Sequence, residues 1–172
     1  ELGLYTVFFT IDATRADFNV LMQIVEAVAA EGHMDALTLV DTMGVAAPPA
    51  IRYYVRTMGA RLNRPLEAHF HNDFGLANAN SLAAIEEGAE VVHSTVLGMG
   101  ERAGQASTEQ MALALELLYG IKTGVKLDRL YNLTQVVQKL TGRVTPLNQP
   151  VAGSAMYQLE SGIPANWWLK CK

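Results

Sequence analysis

A strand–loop–helix unit repeats along most of this 172-residue chain, and it constrains the fold more than any other feature. Short runs rich in β-branched and aromatic residues begin at Tyr5, Ala36, Leu66 and Val91, which are 31, 30 and 25 residues apart. Each run leads into a polar loop and then into a helical pattern. Alternation of strands and helices at this period predicts βαβ units and a parallel sheet.

Four such units amount to half of an eight-stranded barrel. An open four-stranded sheet is the alternative, but alone it leaves an unpaired strand edge on both sides, which natural proteins avoid. The chain opens with ELGLYTVFFT, which has no initiator methionine and reaches a strand almost at once. We therefore expect the C-terminal half of an α/β barrel over residues 1–120, cut from a longer chain. A helix at 127–140 and an irregular tail from Thr145 would form a post-barrel segment over residues 121–172.

The ends of the predicted helices are marked by capping residues. Asp17 suits the position before one helix, and prolines at 48 and 49 suit the first turn of the next. A third helix is predicted from Ala77 to Glu87. Ser107 and Gln110 have the spacing of a capping box, which predicts a fourth helix after Ser107.

Composition excludes several classes of protein. Half of the residues are hydrophobic and 17% are charged, and the net charge of −4 carries no basic stripe, which argues against a nucleic-acid partner. The one cysteine, Cys171, excludes an internal disulfide and a cysteine-based zinc site. No signal peptide and no apolar stretch long enough to cross a bilayer is visible, so we expect no membrane partner and a cytoplasmic location.

The motif HFHNDFG follows the third strand and is the strongest candidate for a functional site. His69 and His71 are two residues apart, so on a strand both imidazoles point to one face. Two imidazoles at a strand end can bind one divalent cation, and Asn72 and Asp73 add oxygens at the rim. The alternative is a pair of hydrogen-bonded histidines with no ligand. We favour the metal site because the pair lies at the carboxyl end of a strand, where barrels place their chemistry.

The loops after the first two strands carry further polar residues. Asp41 and Thr42 directly follow the second strand and could orient a carboxylate or act on protons, although Asp41 could instead cap the next turn. Asp12 and Arg15 follow the first strand. They could face the same site or form a purely structural ion pair.

The loop LGMGERAG follows the fourth strand. Residues 98–103 have G-x-G-x-x-A spacing, but a dinucleotide site needs another strand after the helix, and the chain continues into a second helix instead. We interpret it as a glycine-rich loop that closes the barrel mouth, with N–H groups free to meet an anion. Glu101 and Arg102 could hold that loop in place. His93 is predicted to lie inside a strand as a packed core residue.

Together, HFHNDFGLANANSLAAIEEGA and TVLGMGERAG, with DATR and DTMG upstream, resemble the DRE-TIM metallolyases over about residues 5–120. The similarity is greatest to the branch of 2-isopropylmalate, homocitrate and citramalate synthases. The resemblance implies a (β/α)8 TIM barrel, of which this chain would supply strands five to eight. It also implies a homodimer of the full-length protein and a role in amino-acid biosynthesis.

The resemblance further implies roles for individual residues. In the family, the two H-x-H histidines and an aspartate at the end of the first strand hold a divalent metal. That strand, with its catalytic arginine, would lie outside this chain. The loop threonine contacts the 2-oxo acid in the synthases, and the loop aspartate is catalytic in related lyases. With the loop residues considered above, the complete set of predicted site residues is metal ligands His69, His71 and Gln105, catalytic Asp41, Glu101 and Arg102, and substrate-binding Thr42, Asp12, Arg15 and Asn72.

Three positions depart from the family pattern. Gln105 replaces a metal-binding asparagine, and its longer side chain could ligate directly, ligate through water, or leave three protein ligands. Ile11 replaces an acid that contacts substrate in 2-isopropylmalate synthases. Pro164 replaces a histidine implicated in activating acetyl-CoA.

The activity that the resemblance implies is a Claisen or aldol-type transfer. A metal-dependent acyltransferase would condense an acyl-CoA, acetyl-CoA above all, with a 2-oxo acid, using Mg, Mn or Zn as a Lewis acid. The alternatives are a lyase of the hydroxymethylglutaryl-CoA type, which would need a cysteine that residues 98–104 lack, and a non-catalytic barrel that binds a carboxylate. We expect this segment to be inactive alone, because the metal aspartate and the arginine lie upstream.

Overall fold

A computed structural model describes residues 2–171. The chain forms two compact units, Glu1–Thr123 and Gly124–Lys172. We predicted a division after residue 120, and the assignment of the two parts as a barrel half and a post-barrel segment stays a prediction.

The first unit contains a parallel sheet of four strands, confirming the predicted α/β class. The strands pair in sequence order, with Val7 opposite Ala36, Leu37 opposite Leu66 and Ala68 opposite Val92. A doubly wound sheet reverses its strand order at a switch point, whereas a barrel adds each strand beside the last. The sequential order therefore matches a partial (β/α) barrel. The strands are β1 (Val7–Thr10), β2 (Ala36–Asp41), β3 (Leu66–Phe70) and β4 (Val91–Val92).

Helices follow the strands as the capping residues predicted, with one correction. The Asp17 side chain accepts hydrogen bonds from the N–H groups of Asn19 and Val20, so it caps the first helix. Ser107 precedes the fourth helix, but its side chain forms no cap, so the predicted capping box is wrong. Its N–H donates instead to Asn78 Oδ1 (2.9 Å). The helices are α1 (Phe18–Glu31), α2 (Pro48–Arg61), α3 (Ala77–Glu86) and α4 (Thr108–Leu117).

The main hydrophobic core lies between the helices and one face of the sheet. It includes fully buried Met22, Ile51 and Met58 from the helices and Leu37 and Phe70 from the strands. Burying a side chain of this size contributes about 1.5–3 kcal/mol each. The helical face of the sheet is therefore fixed by apolar packing, which leaves the strand ends to carry polar groups.

The fourth strand is shorter than the sequence predicted. It ends at Val92, because the chain changes partner there: the His93 N–H still donates to Ala68 O (2.9 Å), but the Thr95 N–H donates to Ala106 O (3.0 Å) in the returning loop. His93 therefore follows the strand, and its predicted place inside a strand is wrong.

The second unit is helical. A short 3-10 turn at Leu127–Arg129 leads into α5 (Leu130–Thr141), which matches the predicted helix and ends at Gly142 with φ +71°. The tail is not irregular throughout, since α6 (Gly162–Lys170) follows and contains Pro164 in its first turn. None of the helices in the described part of the chain is long and apolar enough to cross a membrane.

Candidate active site

Two imidazoles meet at the carboxyl end of β3. His69 lies in the strand and His71 directly follows it, and their ring centroids are 5.2 Å apart. The two-residue periodicity of a strand places both rings on one face, as the sequence predicted. The structure thus brings together the two proposed histidine ligands.

His71 is held by the backbone around it. Its Nδ1 atom lies 3.2 Å from the carbonyl oxygen of Gly104, and its N–H donates to the carbonyl oxygen of Asp41 (3.2 Å). A carbonyl can only accept, so Nδ1 carries the proton in this contact. The Nε2 lone pair of neutral His71 is therefore available to a ligand.

His69 is a half-buried, uncharged imidazole. Burial lowers its pKa to about 4, with the neighbouring His93 and His71 rings acting in the same direction. At neutral pH His69 is therefore deprotonated and able to bind a metal ion, which requires the neutral ring.

The structure corrects the role predicted for His93. This side chain is 27% exposed and its Nδ1 atom lies 3.3 Å from His69 Nδ1, so it belongs to the site rather than to the core. On its other side, Nε2 lies 3.1 Å from Glu67 Oε2. Sequence spacing gave no signal for these contacts, because they depend on the register between β3 and the end of β4.

Gln105 lies beside His71 and offers an unused oxygen. The two residues form an antiparallel β-bridge, and Gln105 Oε1 is buried without a hydrogen-bond partner within the described residues. Its Nε2 atom is 3.4 Å from Met99 O. A buried, unpaired amide oxygen is costly unless it meets a ligand.

These residues fit a divalent metal, although they do not complete its coordination. The available donors are two imidazoles and one amide oxygen, a mixed nitrogen and oxygen set that suits Zn or Mn as well as Mg. Among residues 2–171, no group of three or more His, Cys, Asp or Glu side chains could hold a metal ion. An ion held by these three donors would keep further coordination positions for substrate, water or other groups.

The glycine-rich loop holds His71 from the opposite side. Gly104 has φ +89°, and a Cβ there would collide with the carbonyl oxygen of Gly98, so only glycine fits. In this conformation the Gly104 carbonyl accepts from both His71 Nδ1 and the Asn72 N–H (3.0 Å). The N–H groups of Gly98, Met99, Gly104 and Gln105 donate to carbonyls within or next to the loop, so these four are not free for an anion as predicted.

The Asp41 side chain is completely buried and fully engaged. Its carboxylate accepts from the Thr14 hydroxyl (2.6 Å) and from the N–H groups of Val45 (3.2 Å) and Ala46 (3.0 Å). This geometry supports the alternative that Asp41 organises its loop. A catalytic role for Asp41 stays a prediction.

The other residues of the first two loops are also paired. The Thr42 hydroxyl accepts from the Asp12 N–H (2.8 Å) and keeps its own hydrogen for a further acceptor. Asp12 and Arg15 form an ion pair (2.5 Å), and hydrogen bonds from Arg15 lower the pKa of Asp12. This pair matches the structural alternative, while substrate binding by Thr42, Asp12 and Arg15 stays untested.

The remaining predicted residues join the third and fourth loops. Arg102 donates to both carboxylate oxygens of Asp73 (2.6 and 2.9 Å) and to Thr42 O (2.6 Å), and its hydrogen bonds lower the pKa of Asp73. Arg102 thus fastens the glycine-rich loop, as predicted. Asn72 Oδ1 accepts from the Ala77 N–H (3.1 Å) at the start of α3. Glu101 is exposed, and its carbonyl accepts from the Gly104 N–H (2.8 Å).

Comparison with known proteins places the chain in a family. Residues 1–137 match the model of the HMGL-like family. A 2-isopropylmalate synthase of Methanocaldococcus jannaschii is 39% identical over 166 residues, 96% of this chain and 32% of that protein. An Archaeoglobus fulgidus protein, named as a candidate (R)-citramalate synthase, is 45% identical over 163 residues, 95% of this chain and 33% of that protein. The chain thus spans about a third of the length of these relatives.

Solved structures show the same fold. An HMG-CoA lyase from Acinetobacter baumannii, crystallised with coenzyme A and 3-methylmalate, superposes with a TM-score of 0.71 at 29% identity, over 84% of this chain and 49% of that one. The Bacillus subtilis HMG-CoA lyase gives a TM-score of 0.70 at 26% identity, over 81% of this chain and 50% of that one. On the family match and these relatives, the chain belongs to the HMGL-like family and is similar to its citramalate and 2-isopropylmalate synthases.

Proposed function

We propose that this chain carries part of the active site of a metal-dependent acyltransferase that condenses acetyl-CoA with a 2-oxo acid. The observation that carries this proposal is the trio of donor atoms at the end of β3: Nε2 of His69 and His71 and Oε1 of Gln105. The citramalate and 2-isopropylmalate synthase relatives support the choice of reaction. The cytoplasmic location and the homodimer belong to the same proposal for the full-length protein.

The residues of this chain would bind and orient rather than carry out every step. His69, His71 and Gln105 would hold a divalent ion, which supplies Lewis-acid polarisation of the 2-oxo acid when bound. The Thr42 hydroxyl, fixed by the Asp12 N–H, would donate its hydrogen to a substrate carboxylate. Arg102 would keep the glycine-rich loop closed over the site through Asp73.

The lyase alternative has support from fold alone. HMG-CoA lyases superpose on this chain, but residues 98–104 contain no cysteine, and the chain's single cysteine is Cys171. A non-catalytic barrel is the second alternative. It would bind a 2-oxo acid without releasing CoA.

The test compares the complete gene product with this segment alone. We expect the complete protein to release CoA from acetyl-CoA with at least one member of a panel of 2-oxo acids, and to lose that activity with EDTA. We expect the segment alone to be inactive. Cleavage of a hydroxyacyl-CoA without condensation would favour the lyase, and turnover by the isolated segment would overturn the claim that essential groups lie outside it.

A further inference from the structure

A series of four polar side chains, connected by hydrogen bonds, leads to the proposed metal ligand His69. The Thr38 hydroxyl donates to Glu67 Oε2 (3.0 Å), His93 Nε2 lies 3.1 Å from the same oxygen, and His93 Nδ1 lies 3.3 Å from His69 Nδ1. Thr38 and Glu67 are buried, at 0% and 6% exposure. The series therefore begins at the buried Thr38 side chain in β2 and ends at the proposed metal ligand His69.

The donors and acceptors in this series of side chains can be assigned in one consistent way. Where the Glu67 carboxylate accepts from both of its neighbours, Nε2 of His93 is a donor. A singly protonated His93 ring then accepts at Nδ1, so the hydrogen shared with His69 comes from His69 Nδ1. Neutral His69 then has its lone pair on Nε2. The Glu67 carboxylate thus determines, through His93, that Nε2 is the nitrogen of His69 with a free lone pair.

We propose that Glu67 and His93 are positioning residues that hold His69 as its Nδ1–H tautomer, so that Nε2 is directed to the metal. This inference rests on the proposed function, since His69 as a ligand is part of that proposal. Metal-bound histidines commonly donate their second N–H to an oxygen acceptor that fixes the ring. Here the acceptor is another imidazole, itself fixed by a carboxylate.

The arrangement around the two ligands supports this assignment. His71 gains the same tautomer from a different acceptor, the Gly104 carbonyl, so both rings present Nε2. The Phe9 ring packs against His69 and His93, with centroids 6.1 and 5.3 Å away, which restricts their rotation.

The tautomer can be measured without any metal. The chain has four histidines, so ¹⁵N-labelled imidazoles can be assigned by single substitutions and read by long-range ¹H–¹⁵N correlation in EDTA at pH 7.5. We expect His69 to carry its proton on Nδ1 and His93 on Nε2. A proton on His69 Nε2 in the unsubstituted chain would overturn the proposal, and this measurement needs no variant.

Variants separate positioning from simple packing. His93→Phe keeps a ring but removes the acceptor, so His69 should shift towards the Nε2–H form. His93→Asn places an amide oxygen near the former Nδ1 and should restore the Nδ1–H form. His33→Phe, at a residue whose side chain is 77% exposed, is the matched control and should change nothing at His69. If His69 keeps one tautomer in both His93 variants, the proposal fails.

A second arm uses Zn²⁺ alone and tests the ligand itself. We expect Zn²⁺ to shift the Nε2 signals of His69 and His71, and His93→Phe to weaken that binding about 10- to 100-fold, the usual loss for an outer partner. The Nδ1–H tautomer with no Zn²⁺ shift would overturn the metal site and leave the positioning contact intact. A Zn²⁺ shift with the opposite tautomer would do the reverse.

Discussion

The loops that follow β1 and β2 and the region that follows β3 and β4 lie along the same edge of the sheet. Both regions carry polar residues that the sequence analysis predicted to be functional. In the loops after β1 and β2 the carboxylates are occupied: Asp41 accepts three hydrogen bonds and Asp12 is paired with Arg15. In the region that follows β3 and β4, His71 Nε2 and Gln105 Oε1 have no partner among the described residues. Polar side chains therefore serve different purposes in the two regions.

A position at the carboxyl end of a strand therefore does not by itself make a residue a ligand. A side chain whose hydrogen-bonding capacity is spent on its own loop stabilises that loop, whereas one that keeps a donor or acceptor open can meet a substrate. The first class should respond to mutation in stability, and the second in binding.

The largest effect should follow removal of both imidazole ligands. We expect His69→Ala with His71→Ala to abolish Zn²⁺ binding by this chain, because one amide oxygen cannot hold the ion. Zinc titration followed by NMR measures this, since it also detects weak binding. Arg15→Ala in the other region is the control and should leave the titration unchanged. Zinc binding that survives the double substitution would show that the donors lie elsewhere.

Asp41→Ala should instead destabilise the fold. Removing a buried carboxylate strands the Thr14 hydroxyl and the N–H groups of Val45 and Ala46, which should cost about 3 kcal/mol in the free energy of unfolding. Urea unfolding measures the change. If stability stays the same while the complete protein loses CoA release, Asp41 belongs with the catalytic residues and the comparison breaks down.

Gln105→Asn should have a moderate effect on binding alone. The shorter side chain restores the residue that many members of the resembled family use as a ligand, and we expect the affinity for Zn²⁺ to rise about tenfold, or about 1.4 kcal/mol. Gln105→Leu is the matched control, since it removes the oxygen at similar size, and should lower the affinity. An unchanged affinity of Gln105→Leu would mean that the Gln105 oxygen does not reach the metal, and an unchanged or lower affinity of Gln105→Asn would mean that the shorter side chain is not the better ligand here.

The lowered pKa of His69 should make the metal-free chain less stable in acid. The unfolded ring binds a proton near pH 6.5, whereas the folded ring does so only near pH 4. Between these values the unfolded chain holds more protons, so stability rises with pH across this window and is lost as the pH falls through it. Urea unfolding in EDTA at several pH values should show that the free energy of unfolding depends less steeply on pH in His69→Gln. An identical pH dependence would mean that burial does not lower the pKa of His69.

The smallest effect should come from the exposed ion pair of the first loop. Arg15 is 53% exposed in its side chain, and exposed pairs contribute little because water and salt screen them. We expect Arg15→Ala to leave the melting temperature within error. A large drop in the acetyl-CoA or 2-oxo acid affinity of the complete protein, with no loss of stability, would move Arg15 into the binding class.

Much of the fold was predictable from the sequence, because it rests on local signals. Strand and helix periodicity, the Asp17 cap and the prolines of α2 act over a few residues, and they placed the elements in order. β3 begins at Leu66, as predicted. The prediction made β4 too long, because hydrogen bonds to the returning loop end the strand at Val92. It also missed α6, a helix of only nine residues in a segment that was expected to be irregular.

The βα repeat, the H-x-H pair on one strand face and the glycine-rich loop could be predicted because each follows from the spacing of residues along the chain. The hydrogen bonds of Asp41, the unpaired oxygen of Gln105 and the contact of His93 with His69 became visible only in the folded protein. These contacts depend on which strands are neighbours, on the register between them, and on which acceptor lies next to a given donor in the folded protein. The contacts of Asp41 with Thr14 and of His69 with His93 join residues 27 and 24 positions apart, and no local pattern encodes them.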